Sequence, residues 1–211
     1  MADRGMSPDH YFSRSPRSKA KTNRIITRLR GRRFEFVTSS SVFSKKRVDL
    51  GTRLLVESMT LPQAGLALDV GCGYGVVGIV AAALKPALRV FLCDINERAI
   101  RLTKQNVRAN GINNAAVRRG QLYEPIRDLK FDCILSNPPI SRGMETVKEI
   151  ILKAPEHMTT GAHFQIVVKS KIGGKRFQSI LQEAFGNVQI LSRKSGYRVF
   201  ISEKDKTAIS H

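Results

Sequence analysis

The chain has 211 residues, 42% of them hydrophobic, which is enough to bury one substantial core without disulfide staples. Its 36 Lys and Arg against 17 Asp and Glu give a formal net charge of +19, an excess that favours a polyanionic partner, nucleic acid foremost. No apolar run approaches the roughly 20 residues of a bilayer span, the first residues lack the apolar core of a secretory signal, and Cys72, Cys93 and Cys133 sit singly in apolar segments as buried, reduced thiols, so a cytoplasmic protein without a metal is expected.

Residues 1–47 read as a basic extension: a polar arm, then RIITRLR and FEFVTS flanking Gly31-Arg32-Arg33 as a hairpin. Thirteen of the first fifty residues are Lys or Arg and four are acidic, so nearly half of the net charge lies in the first quarter of the chain. VDLGTRLLVESM then has helical spacing at Val48, Leu50, Leu54, Leu55 and Met59, opening a domain over 48–203 that leaves a tail at 204–211. Within it, strands are predicted at 66–70, 89–93, 115–119, 131–136, 162–168, 187–192 and 197–202, and helices at 76–84, 97–110, 144–156 and 173–184. Alternating strands and helices predict an α/β fold with a doubly wound, seven-stranded, mostly parallel sheet. The short turn KSG before the last strand makes that strand antiparallel to its neighbour.

LALDVGCGYGVVGIVAAA places an apolar strand, a glycine-dense turn and an Ala/Val-rich helix in succession, the arrangement in which backbone approaches a ligand closely. Gly73, Gly75 and Gly78 satisfy GxGxxG, and Asp94 follows 21 residues after Gly73, the separation at which a carboxylate grips ribose hydroxyls. A nicotinamide or flavin dinucleotide is therefore one reading. Asp69 opposes it, because a carboxylate two positions before Gly71 meets a pyrophosphate with like charge. S-adenosylmethionine carries an ammonium and a sulfonium, has a ribose and lacks phosphates, so Asp69, Gly71, Gly73, Gly75 and Asp94 fit it better. Asp69 as a plain helix cap and Gly78 as a helix–strand packing residue are the structural alternatives.

LSNPPI, Leu135 to Ile140, ends an apolar strand with an asparagine and two prolines. A strand-ending turn explains it structurally. Chemically, the Asn137 side-chain carbonyl and the Pro138 backbone carbonyl can accept the two hydrogens of an aromatic exocyclic amine, orienting a nitrogen whose lone pair is otherwise delocalised. Pro139 adds stiffness, and Ile140 offers an apolar contact to an extruded base.

These residues together resemble a known group. HYFSRSP, LRGRRFEFVTSSSVFSKKRVDLGTRLL, LDVGCGYGVVGI, DINERAI, NPPI and the closing GYRVF are similar, in order, to the catalytic domain of the small-domain class I methyltransferases typified by bacterial 16S ribosomal RNA guanine-N2 methyltransferases. The resemblance implies a Rossmann-like sheet with S-adenosylmethionine held by Asp69, Gly71, Cys72, Gly73, Gly75 and Asp94, Ile95 packing on adenine with Gln121 and Leu122 beside it, and Asn137 to Ile140 receiving the amine. Where the pattern usually has an acidic residue at the adenine amine this chain has Gln121, which retains an acceptor oxygen, and where it usually has Gly before Val-Phe-Ser this chain has Ser41. Phe43 is a candidate lid or stacking residue, and Arg142, Lys169, Lys171, Lys175 and Arg176 are candidates for substrate phosphates. The expected activity is methylation of an exocyclic base amine of RNA, guanine N2 of ribosomal RNA or of a small-subunit particle. Adenine N6, a transfer RNA target, a protein glutamine amide and a non-catalytic RNA-binding module are the alternatives.

Overall fold

Apolar residues alternate in part with charged or polar ones along Thr22–Leu29 (β1) and Arg32–Ser39 (β2), which pair antiparallel with Leu29 opposite Arg32. The two turn residues Arg30 and Gly31 both take positive φ, the geometry that suits the twist of a tight hairpin. The computed structural model describes residues 22–39, 47–138 and 143–205. Ser41, Phe43, Pro139, Ile140 and Arg142 lie outside the described residues.

The inward side chains of the hairpin, Ile25, Leu29, Phe34 and Phe36, are buried in the same core as Leu55, Ile79 and Leu92. The hairpin is thus packed into the main body. Its free edge is closed by side chains: the Asn110 amide bonds the backbone N–H and C=O of Glu35, and the Asn106 amide bonds those of Val37, all at 2.7–3.0 Å. Two carboxamides on one helix replace a third strand.

The main sheet has seven strands. Gly65–Val70 (β3), Leu88–Asp94 (β4), Ala115–Arg119 (β5), Phe131–Ser136 (β6), Met158–Lys169 (β7), Gln189–Lys194 (β8) and Tyr197–Glu203 (β9) lie in the order β5-β4-β3-β6-β7-β9-β8. Every pair among β5, β4, β3, β6 and β7 is parallel, and β9 runs antiparallel to both β7 and β8. The expected doubly wound, mostly parallel sheet with one reversed last strand is what forms.

Leu50–Ser58 (α1), Val76–Leu84 (α2) and Glu97–Ala109 (α3) cover one face together with the hairpin. Met144–Lys153 (α4) and Ser170–Phe185 (α5) cover the other. The helix expected over 144–156 ends at Lys153 because Pro155 lacks an N–H, and the chain continues as a 3-10 turn, Ala154–His157. Helix α5 begins three residues earlier than expected, but Gly173, at φ 154, breaks it near the predicted start. All three cysteines are buried and free, as their apolar settings imply.

Candidate functional site

The sheet order reverses direction between β3 and β6, and in an open α/β sheet the crevice beyond the carboxyl ends of such strands is where ligands bind. The register sets Asp69 beside Leu135 and Val70 beside Ser136, so the glycine turn and Asn137 leave the sheet side by side. The Ser136 hydroxyl donates to the Val70 carbonyl at 2.9 Å and ties the two strand ends together.

The turn itself is held from several directions. The N–H groups of Gly71 and Cys72 both donate to the Cys93 carbonyl, at 2.9 and 3.0 Å, and the Thr103 hydroxyl donates to the Gly73 carbonyl at 2.8 Å. Gly71, Gly73 and Gly75 have φ of 73, 59 and 93, values that explain why alternate positions of this turn are glycine. Gly78 is glycine for a different reason: a Cβ there would lie 2.5 Å from Leu92 Cδ2, so the residue lets α2 pack onto β4. The helix–strand packing role suggested by the sequence is the one it has.

Asp69 is buried, and its Oδ2 accepts the Gly78 N–H at 2.9 Å. Burial pushes its pKa up to about 7, the Gly78 hydrogen bond opposing that shift and the nearby Asp94 adding to it. It therefore does cap α2, and it also lines a cavity, so the two roles foreseen for it coexist. Asp94 is buried as well. Its Oδ2 accepts the Gly73 N–H at 3.0 Å and its Oδ1 accepts the Asn96 N–H at 2.9 Å, which fixes the carboxylate at the mouth of the turn.

One cavity is lined by Asp49, Thr52, Asp69, Gly71, Cys72, Gly73, Tyr74, Val76, Val77, Asn137 and Pro138. It gathers the predicted Asp69, Gly71, Cys72, Gly73, Asn137 and Pro138 in one place. Gly75 caps α2 beside it, whereas Gln121 and Leu122 face a separate, open depression shared with Tyr123, Arg127 and His157. Ile95 is half-buried beyond the end of β4. Burial pushes the Cys72 thiol well up, so it lines the cavity as an apolar, protonated group.

Three polar lining residues, Asp49, Thr52 and Tyr74, are not among those the sequence singles out. Asp49 and Thr52 precede the sheet, and Asn137 Nδ2 lies 2.7 Å from Thr52 Oγ1. Tyr74 is 4% exposed and its hydroxyl has no hydrogen-bond partner among the described residues. Carboxylates from two elements, a glycine backbone at positive φ and an unpartnered buried hydroxyl make a cavity suited to a small cationic ligand with polar appendages. A pyrophosphate would meet Asp49 and Asp69 together.

Residues 33–201 match the family model described as methyltransferase small domain. The chain belongs to that family.

Members of the methyltransferase small domain family take S-adenosylmethionine as methyl donor, and the cavity chemistry above fits it. Among similar proteins, the chain is 36% identical over 198 residues to the uncharacterized protein YbxB of Bacillus subtilis, covering 93% of this chain and 98% of that protein. It is 33% identical over 167 residues to ribosomal RNA small subunit methyltransferase C of Cronobacter sakazakii, covering 77% of this chain and 47% of that enzyme. A solved structure of the T. thermophilus 16S rRNA N2 methyltransferase RsmC, in complex with AdoMet and guanosine, superposes with a TM-score of 0.79 at 24% identity, over 90% of this chain and 52% of that one. The chain thus spans about half the length of the ribosomal RNA methyltransferases it matches. No helix among the described residues is long and apolar enough to cross a membrane.

Proposed function

We propose that this methyltransferase modifies an exocyclic amine of RNA, guanine N2 of small-subunit ribosomal RNA foremost. The observation that carries the reading is the placement of Asn137 and Pro138 against the glycine turn, on one cavity wall with Asp69. The names of its relatives point to the same substrate class: enzymes called ribosomal RNA small subunit methyltransferase C are 30–33% identical to it.

When bound, S-adenosylmethionine supplies a methyl group on a positively charged sulfur, an electrophile that a neutral amine attacks directly. The chain's own task is then alignment. Asp94 takes ribose hydroxyls at the mouth of the turn, the turn from Gly71 to Gly75 lets backbone come close, and Ile95 serves the adenine. Asp69 and Asp49 set a negative potential that suits the ammonium and sulfonium. Asn137 Oδ1 and the Pro138 carbonyl accept the two amine hydrogens, and the neutral amide does so without placing a further charge beside the sulfonium.

The RNA reading has independent electrostatic support at the same sheet edge. Lys169, Tyr197 and Lys194 lie in register across β7, β9 and β8, with Arg193 and Arg198 paired one residue further in. Lys171, Lys175 and Arg176 follow on α5. None of these seven cations forms an ion pair among the described residues. Unpaired like charges on one rim repel one another, and a polyanion relieves that repulsion.

Incubating the chain with labelled S-adenosylmethionine and unmodified small-subunit ribosomal RNA, followed by digestion to nucleosides, tests the reading. Labelled N2-methylguanosine is expected. Labelled N6-methyladenosine shifts the target base, and no labelled nucleoside rejects RNA methylation.

A further inference from the structure

An amide is of use to an amine only through its oxygen, because an amino hydrogen needs an acceptor. Turned end for end, the Asn137 carboxamide would present two donors to the same amine and oppose it. What decides its orientation lies on α1. Asn137 Nδ2 is 2.7 Å from Thr52 Oγ1 and 3.5 Å from Asp49 Oδ1. The Thr52 backbone N–H donates to Asp49 Oδ1 at 2.9 Å, and the Thr52 hydroxyl donates to Asp49 Oδ2.

The hydrogen count settles the polarity. A carboxylate only accepts, so Asp49 takes the single hydrogen that the Thr52 hydroxyl can give. The lone pairs of Thr52 Oγ1 then face residue 137, and only the NH2 end of an amide can meet them. The carbonyl end is turned the other way. Among the described residues no hydrogen bond reaches Asn137 Oδ1, and Asp49, Thr52 and Asn137 all line the cavity.

We propose that Asp49 and Thr52 are positioning residues for methyl transfer, a relay of hydrogen-bond polarity that points the Asn137 carbonyl at the target amine. This rests on reading the chain as an amine methyltransferase. Asp49 also caps α1, so its replacement must leave the cap in place. Asparagine does so, since it caps helices as well as aspartate, but its NH2 faces Thr52 Oγ1. The hydroxyl hydrogen then swings toward residue 137 and favours the reversed amide. Thr52→Val keeps the shape and removes the relay, and Thr52→Ser keeps the hydroxyl relay while losing only the methyl group.

The test uses the full chain, labelled S-adenosylmethionine and an unmodified small-subunit ribosomal RNA transcript, with donor affinity measured separately by calorimetry. Asp49→Asn and Thr52→Val are expected to lower kcat on the order of 10²-fold, the scale on which one positioned hydrogen-bonding group acts in a transition state. Donor Kd should change by less than about threefold in Thr52→Val and weaken in Asp49→Asn only as far as the loss of one cavity charge accounts for, and Thr52→Ser should restore most of kcat. In an Asn137→Ala background Asp49→Asn should cost nothing more, because the group it orients is gone. A donor Kd weakened tenfold with kcat intact would make Asp49 a cofactor ligand and overturn the relay, as would losses that multiply in the Asn137→Ala background. A second readout needs no turnover: the Asn137 side-chain ¹⁵N amide resonance, assigned by its loss in Asn137→Ala, should move in Asp49→Asn and Thr52→Val and stay in Thr52→Ser. An unmoved resonance sinks the relay. If the wild-type chain transfers no methyl group while the resonance behaves as stated, it is the methyltransferase reading that fails.

Discussion

The Asp69 carboxylate takes the Gly78 N–H across 2.9 Å from a position only 1% exposed. A buried carboxylate carrying one backbone hydrogen bond is still poorly compensated for lost water, and burial leaves its pKa at about 7.

That value makes stability depend on pH in a definite direction. Between an unfolded pKa of about 3.9 and the folded value of about 7, the native chain holds a proton that the unfolded chain has released. Stability should therefore fall as pH rises through that window and level off above it. Thermal melts at pH 5 and pH 8 should show the lower midpoint at pH 8, and Asp69→Asn should reduce the difference. Equal differences in both proteins would show that Asp69 is not its source.

The same carboxylate links donor binding to pH. A cation beside Asp69 favours its ionised form, so S-adenosylmethionine should bind more tightly at pH 8 than at pH 6, with proton release near neutrality. Calorimetry in two buffers of different ionisation enthalpy measures this. The ligand's own titration is common to both proteins, so the informative quantity is the part that Asp69→Asn removes.

Gly78→Ala should destabilise the fold. The added methyl group would sit 2.5 Å from Leu92 Cδ2 and 3.2 Å from Asp69 Cβ, and overpacking of that kind costs about 1–3 kcal/mol. Denaturant melts should show an earlier midpoint with an unchanged slope. Combining it with Leu92→Val should cost less than the sum of the two single changes, and strict additivity would clear Leu92 of the clash.

Removing the Asn106 side chain should loosen the hairpin and the glycine turn together. This buried amide donates to the carbonyls of Val37 and Tyr74, at 2.9 and 2.8 Å, and accepts the Val37 N–H at 2.7 Å. Each buried backbone group left without a partner costs about 1–3 kcal/mol. In Asn106→Ala, amide exchange at Val37 should quicken and donor affinity should fall. Loss of stability with unchanged donor affinity would confine the effect to the hairpin.

Replacing Lys169 and Lys194 by Gln should weaken RNA binding with little change in melting temperature, since neither lysine has an ion-pair partner among the described residues and Lys169 meets the Tyr197 ring only at 5.8 Å. The logarithmic salt dependence should drop by roughly 0.7 for each phosphate of single-stranded RNA that is no longer neutralised. An unchanged slope would place the phosphates elsewhere.

The sheet was legible in the sequence because each parallel strand is a short apolar run bounded by turn residues, and β5 and β6 begin and end where the pattern says. The glycine turn and Asn137 were legible because their chemistry is local. Asp49 and Thr52 were not, since they meet Asn137 across more than 80 residues of chain and only the register of the folded elements brings them together. The Gly51–Tyr197 packing was hidden for the same reason: a Cβ on Gly51 would lie 2.9 Å from the Tyr197 ring, a constraint no nearby residue reports. Gln121 could be placed after β5 from sequence, but not the direction it faces, into a depression apart from the glycine turn.

The bonds by which Asn106 and Asn110 clasp β2 are made to peptide groups and to no side chain. Anyone retargeting this scaffold could therefore exchange the hairpin's outward residues wholesale, provided the grafted ribbon offers an N–H and a C=O at the places of Glu35 and Val37. A graft shifted by one residue would present the clasp with the opposite edge of the ribbon. The glycine turn would then lose its footing through Tyr74, far from any position that had been altered.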